Sequence, residues 1–365
     1  LMKICLVTIH ATTNYGGILQ AYATQNILEN FGEVKILDYR NKHVNKTMQI
    51  IRFGLQPRDV LRIAKDLFRL YSRYRTISQF QEFIDNRMNL HVFSNSQLSD
   101  VVNEFDIFIA GSDQIWNPKI LGEKGEFDDV YLLNFVKDKR KVSYASSTGS
   151  YVASNGDRLI SALCSFDNLS LREADSANNI SKILNRNIYH VLDPTLLFNK
   201  KSWINMLGLS KSSIRKNKYI FLYAIVRDKL FVEAVNNFSE KLGIDVIIVD
   251  QDPFIGFNVA KHYKSASPEL FLSLLLNAEL IITNSFHGVA FSVNFEKSFY
   301  VTIPPSSPNR VVSFLSSVDM LDRLISNKDQ LNNICSNQQQ DFTGASQKLA
   351  ELRNLSLEYL NRSLK

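Results

Sequence analysis

One pattern constrains this chain more than any other, and it occurs in both halves. A short apolar run passes directly into a turn of small and polar residues, then into helical periodicity. Residues 4 to 9 form the first such run, too short for a helix and without strict alternation, so it reads as a strand buried on both faces. The turn is His10-Ala11-Thr12-Thr13-Asn14-Tyr15-Gly16-Gly17. Ile18, Leu19, Tyr22, Ala23 and Ile27 then recur at helical spacing, and Val34 to Asp38 is the next strand. Phe105 to Ala110 and Lys141 to Ala145 continue the series. Tyr219 to Val226 starts it again, followed by helical patterns at Lys229 to Leu242 and Pro268 to Asn277, and by strands at Asp245 to Val249 and Leu280 to Ile282. Such an order predicts parallel sheets with helices on their faces, and ligands bind such sheets at the carboxyl ends of the strands.

The expected architecture is therefore α/β, with two Rossmann-like domains facing a cleft. The first spans 1–205 and carries a basic helical insertion at 45–90. The second spans 215–330, after a polar linker near Leu209 to Lys218. A closing helix at 345–365 is expected to pack back on a domain. At 365 residues the chain is long enough for a core in each domain, and 45% apolar with 21% charged residues excludes a disordered chain. The three cysteines, Cys5, Cys164 and Cys335, are dispersed, which argues against a disulfide scaffold and for a reducing, cytoplasmic location. The opening residues lack a leader's cleavage pattern, and the best apolar run has 8 residues, far below the roughly 20 that span a bilayer.

The formal charge is +6, unevenly spread. Between Arg40 and Arg75 ten basic residues face only Asp59 and Asp66, so that segment is +8 and the rest of the chain −2. Leu61, Ala64, Leu67, Phe68 and Tyr71 make an apolar stripe there, with Arg62, Lys65, Arg69 and Arg73 mainly off it. Two readings fit: a helix packed on the first domain, or one lying on an anionic membrane surface at its cytoplasmic face. No nucleic-acid module accompanies the charge. Neither a dinucleotide fingerprint nor a phosphate-binding loop is present, and the six histidines show no short-range pairing for a metal. No metal or cofactor is expected.

Five phrases occur in one order over about 14 to 300: Asn14-Tyr15-Gly16-Gly17 with Gln20, Gly111-Ser112-Asp113-Gln114-Ile115-Trp116-Asn117, Ser170-Leu171-Arg172-Glu173, Asp193-Pro194-Thr195, and Asn284-Ser285-Phe286-His287-Gly288. Together they resemble the polysaccharide pyruvyl transferase family. The resemblance implies a GT-B-like fold. It implies transfer of a carboxyethylidene group from phosphoenolpyruvate to two hydroxyls of a sugar in a surface polysaccharide precursor, with a lipid-diphosphate-linked oligosaccharide as acceptor. Many members have Arg-Leu-His-Gly where this chain has Ser285-Phe286-His287-Gly288.

Each candidate residue has a functional and a structural reading. Asn14, Tyr15, Gly16, Gly17 and Gln20 either present helix N–H groups to an anion or sugar, or form a tight turn. Asp113 is a base for a sugar hydroxyl or an N-cap. Trp116 is a platform for a sugar ring or a core residue. Arg172 grips an anion or pairs with Glu173, and Arg227 either replaces the missing family arginine or solvates a strand end. Asn284, Ser285 and Gly288 offer hydrogen bonds and space for a ligand. His287 binds the donor's anionic oxygens, donates a proton, or is a satisfied structural residue. The leading expectation is the pyruvyl transferase reaction. The alternatives are a glycosyltransferase of GT-B architecture using a nucleotide sugar, and a non-catalytic glycan- or membrane-binding protein.

Overall fold

A computed structural model describes residues 1–52, 57–93, 98–209, 217–252, 255–303, 308–334 and 340–365. Most of the expected linker, 210–216, and Cys335 lie outside the described residues. The chain divides into two compact units. The first comprises Leu1–Gln49, Phe80–Leu197 and Glu351–Lys365, and the second Ile50–Gln79 and Phe198–Ala350.

The first unit is built on β1 (Lys3–Val7), β2 (Glu33–Leu37), β3 (Leu90–His91), β4 (Ile107–Ala110) and β5 (Arg140–Ser143), in the order β3-β2-β1-β4-β5. All of its pairings are parallel, with Ile4 opposite both Val34 and Ile107. Ile4 to Val7 and Ile107 to Ala110 are fully buried, as expected of apolar runs covered on both faces. A parallel pair, β6 (Ser170–Leu171) and β7 (Tyr189–His190), continues this edge through single bridges to Val142 and Ser146.

The second unit holds β8 (Tyr219–Tyr223), β9 (Asp245–Val249), β10 (Lys261–Tyr263), β11 (Leu280–Thr283), β12 (Phe299–Thr302) and β13 (Leu324–Ile325). Its order is β10-β9-β8-β11-β12-β13, all parallel, the doubly wound arrangement in which the chain reverses direction across the sheet between its first and fourth strands. The predicted strand Tyr219 to Val226 stops at Tyr223. Asn284 accepts from Ile225 N at 2.7 Å and donates to Val226 O, drawing these two residues out of the ladder.

The helix Thr343–Leu364 ends on the first unit. Tyr359 Oη donates to Ser143 O at 2.7 Å, Leu192 N to Ser356 Oγ at 3.0 Å, and Arg353 Nε to Leu196 O at 2.6 Å.

The basic segment departs from the sequence expectation. Residues 50–79 group with the second unit rather than the first, tied there by Arg73 Nη1 to Gln251 and by Ser265 Oγ to Gln79. Its charges also turn inward. Asp66 is fully buried and accepts from Arg52 at 2.7 and 2.9 Å, with Arg69 at 3.3 Å and Arg73 at 3.7 Å. Arg40 pairs with Asp38 and Lys46 with Glu123. The apolar stripe faces outward: Leu61, Phe68 and Tyr71 are each 71% exposed. Phe53 and Leu55 lie outside the described residues. No helix among the described residues is long and apolar enough to cross a membrane.

Burial pulls the Asp66 carboxyl upward, but the hydrogen bonds and charge of Arg52, with Arg73, outweigh it and hold it below the ordinary aspartate range. A depressed carboxylate adds stability above its unfolded pKa and loses it as pH falls through the folded value. The loss begins as pH drops below about 4, the ordinary aspartate value, and is complete only below the lower folded value. Asp66→Asn is expected to lower unfolding stability by about 2 kcal/mol at neutral pH, less than for a fully enclosed pair because Arg52 and Arg69 reach solvent. Denaturant unfolding at pH 7 and pH 3 measures this, and the variant's deficit should shrink at the lower pH.

Candidate functional site

In each unit most residues singled out in the sequence fall in the loop or the first helical turns after a strand that flanks the point where the chain reverses across the sheet, whereas Arg172 follows β6. In the first unit these loops follow β1 and β4. Asn14 caps the helix Tyr15–Leu28, its Oδ1 accepting from Gly17 N at 3.1 Å. A Cβ on Gly17 would stand 2.9 Å from Thr12 Cγ2 and 3.5 Å from an Asp113 carboxylate oxygen, so the glycine lets the two loops close together. Asp113 has φ +68°, an uncommon conformation for a non-glycine residue, which the bridge to Ser146 holds. Its side chain keeps partial access to solvent.

Arg172 lies behind Asp113 and is buried. Nη1 donates to Asp193 at 2.7 Å, Nε to Glu173 at 3.3 Å, and Nη2 stands 3.7 Å from Asp113. Burial alone would lower its pKa, but Glu173, Asp193 and Asp113 together raise it well above the ordinary arginine value. Arg172 is thus a fixed counter-ion to three carboxylates. Asp193 also accepts from Thr195 N and Oγ1, and Ser147 Oγ donates to Glu173 at 2.6 Å.

Two expected ligand contacts are interior residues instead. Trp116 is fully buried, donates from Nε1 to Tyr131 O at 3.2 Å and meets Phe166 edge-on, so it is core and not a sugar platform. Gln20 is fully buried and donates to Thr8 Oγ1, Ile9 O and Gly17 O, bracing the turn from behind. Tyr15 and Gly16 are also buried, with Tyr15 against Phe80.

In the second unit the loops follow β8 and β11. Ser285 caps the helix Phe286–Asn294, whose first turn includes His287 and Gly288. A Cβ on Gly288 would lie 2.3 Å from Thr283 Oγ1. That hydroxyl is held, donating to Tyr223 O at 2.6 Å and accepting from Ser285 N at 3.1 Å. Asn284 is committed to Ile225 and Val226. His287 is buried, its ring edge-on to Phe286. Arg227 pairs with Asp250 at 3.6 Å and Asp252 at 3.2 Å.

A pair missed in the sequence stands beside the first site. His10 Nε2 meets Asp38 Oδ1 at 3.0 Å, with Nδ1 3.3 Å from Thr8 O. The two residues end adjacent parallel strands, and that juxtaposition was the available signal. Among the described residues no group of His, Cys, Asp and Glu forms a metal site.

Sheets of this order, one in each half, define a GT-B-type fold, and solved structures share it. A UDP-N-acetylglucosamine 2-epimerase from Methanocaldococcus jannaschii aligns over 96% of this chain and 99% of its own, at 12% identity and a TM-score of 0.50. The enzyme from Neisseria meningitidis, bound to UDP-GlcNAc, aligns over 99% and 94% at 11% identity and 0.50. A putative one from Listeria monocytogenes aligns over 96% and 95%, again at 11% and 0.50. A search of curated proteins finds no match. The model of the polysaccharide pyruvyl transferase family matches residues 14–306, and the chain belongs to that family. Family and fold together make it a transferase-type enzyme.

The donor and partners expected from the sequence are corrected here. Phosphoenolpyruvate carries up to three negative charges and needs uncompensated cations. Arg172 faces three carboxylates, Arg227 faces two, and Ser285 stands in place of the family arginine. The fold neighbours are enzymes of nucleotide sugars. The lipid-diphosphate-linked acceptor and the anionic membrane surface are set aside with that donor. Five of the ten basic residues at 40–75 pair with Asp38, Asp66 and Glu123, which offsets part of the segment's charge.

Proposed function

We propose that this protein is a GT-B-type glycosyltransferase of polysaccharide synthesis that uses a nucleotide-sugar donor. One observation carries the reading. At the reversal point of the second unit's sheet, a capped helix begins at Phe286 with no room for a side chain at Gly288. The N–H groups of such a helix start, with the positive end of its dipole, suit a diphosphate. A sugar nucleotide's diphosphate carries about two charges, fewer than phosphoenolpyruvate, and does not require the absent arginine. Nucleotide-sugar enzymes among the fold neighbours support the same class.

In this reading Ser285, His287 and Gly288 hold the diphosphate, and Asn284 fixes the neighbouring loop. An acceptor hydroxyl gives up its proton to a base; in the first unit the partly solvent-accessible Asp113 carboxylate is a group of that kind. The hydroxyl oxygen bonds to the anomeric carbon as the bond to the diphosphate breaks. The nucleoside diphosphate leaves with the electron pair, and the helix start stabilises the charge that develops there.

Calorimetric titration with UDP, TDP, ADP and GDP, and with phosphoenolpyruvate as comparison, tests the donor class. At least one nucleotide should bind and phosphoenolpyruvate should not. Products should gain the mass of a sugar residue. Absence of binding to any nucleotide would sink the reading. Gly288→Ala forces the helix start away from Thr283 and is expected to weaken nucleotide binding about tenfold, roughly 1.4 kcal/mol. Unchanged affinity in a folded variant would remove the helix start from the site.

A further inference from the structure

The helices Pro57–Phe68 and Leu70–Arg87 are amphipathic in the reverse sense. Arg69 N donates to Lys65 O and Arg73 N to Arg69 O, so bonds from i to i−4 run through the join and one helical period covers both. On that period Asp66, Arg69 and Arg73 share a face. It turns inward: Asp66 draws in Arg52, Arg69 and Arg73, and Arg73 Nε also donates to Ile50 O at 2.8 Å. The opposite face carries Val60, Leu61, Leu67, Phe68, Tyr71 and Tyr74, each between 55% and 71% exposed. A surface helix of a single folded chain ordinarily does the opposite, with its apolar stripe on the core and its charges in water.

The size of this stripe sets it apart. Three aromatic and three aliphatic side chains at that exposure display on the order of 700 Å² of surface, more than the few hundred Å² of a monomer's ordinary apolar patch. Elsewhere among the described residues the exposed large apolar side chains stand alone or in pairs, as at Val92, Val152 and Ile225–Val226. Charge is withdrawn from the stripe as well. Between 60 and 79 the one acidic residue, Asp66, is buried. The exposed cations there are Lys65, which helical spacing sets at the edge of the stripe, and Arg75, which lies over the Tyr71 ring at 6.0 Å.

We propose that this face is the contact between two copies of the chain, helix against helix about a two-fold axis. Area selects a second copy: two such faces would together bury about 1,400 Å², within the ~1,200–2,000 Å² of a stable interface. Charge agrees, because cations turned onto Asp66 leave an acidic partner few ion pairs to make. What the face offers is apolar surface, and the same face of another copy returns it in equal amount. With no second patch of this size among the described residues, copy meets copy patch to patch, which closes at two. Lys65 then falls on the rim and Arg75 stays over its ring, where such contacts place their cations. This inference does not depend on the donor class.

Sedimentation equilibrium of the full chain tests it. The wild type should be a dimer at micromolar concentration. Added salt should leave the dimer intact or tighten it, since apolar area holds it and like charges oppose it. Leu61→Glu and Tyr71→Glu should each weaken it about tenfold, and the double variant about 100-fold. Both positions are exposed, so circular dichroism should show the fold kept. If the double variant does not fold, the milder Leu61→Ser with Tyr71→Ser should still weaken the dimer about tenfold. A wild type that stays monomeric, whether or not it binds vesicles of anionic phospholipid, overturns the proposal. So does a dimer that salt dissociates, or one that the folded double variant keeps at wild-type affinity.

Discussion

Arg172→Met is expected to lower the stability of the first unit by about 4 kcal/mol, the largest loss from any single change considered. The guanidinium is enclosed, and Glu173, Asp193 and Asp113 meet it from three sides. A methionine fills similar volume, so little of the loss comes from a cavity. It comes from carboxylates left without a counter-ion in a region from which water is mostly excluded. Denaturant unfolding followed by a probe in the first unit should show an earlier midpoint, and Asp193→Asn in the same chain should recover part of the loss. A midpoint within 1 kcal/mol of wild type would mean that the cluster is open to water and that Arg172 is available to a ligand. Arg172→Lys should also be poorly tolerated, since one ammonium group does not reproduce three directed contacts.

His287→Ala is expected to reduce kcat/KM about 100-fold, with a small change in unfolding midpoint. On the proposed donor site the imidazole gives a hydrogen bond to the departing diphosphate. Removing one such donor typically costs ~2.7 kcal/mol of transition-state stabilisation. Its ring lies on the first turn of a helix whose cap, Ser285, is independent of it. The rate should therefore fall without loss of fold. Separating kcat from KM distinguishes the two ways it can act. A loss confined to KM indicates binding in ground and transition states alike, and a loss in kcat indicates a contact made as charge develops. A wild-type rate with loss of stability alone would assign His287 to structure.

Much of the architecture was legible because parallel strands buried on both faces leave a plain signal. Ile4–Val7, Ile107–Ala110, Tyr219–Tyr223 and Leu280–Thr283 are apolar at almost every position, and each is followed by a loop carrying candidate residues. Placing the candidates on strand ends followed directly. Placing their side chains did not. Trp116 and Gln20 sit within motifs that look exposed, yet their partners are Tyr131, Phe166, Thr8 and Ile9, and no local pattern announces those contacts. The basic segment was misread for a similar reason. Periodicity located its apolar stripe but not the direction it faces, and the link from Arg73 to Gln251 spans 178 positions. Charge counted along the chain also omitted Asp38 and Glu123, which lie outside the segment and neutralise part of it.

The helix that ends on the first unit sets an order of assembly. Its stretch Glu351–Lys365 carries Tyr359, Ser356 and Arg353, which tie to Ser143, Leu192 and Leu196. During synthesis these residues leave the ribosome after every residue of the second unit. The second unit has all its parts by Ala350, whereas the first, whose strands emerge earliest, waits for its last segment. A nascent chain halted before residue 351 thus holds a second unit able to fold and a first unit in which Ser143 O, Leu192 N and Leu196 O still await their partners on the helix. The half made first is the half completed last, and for that interval it is the part of the nascent chain most in need of a chaperone.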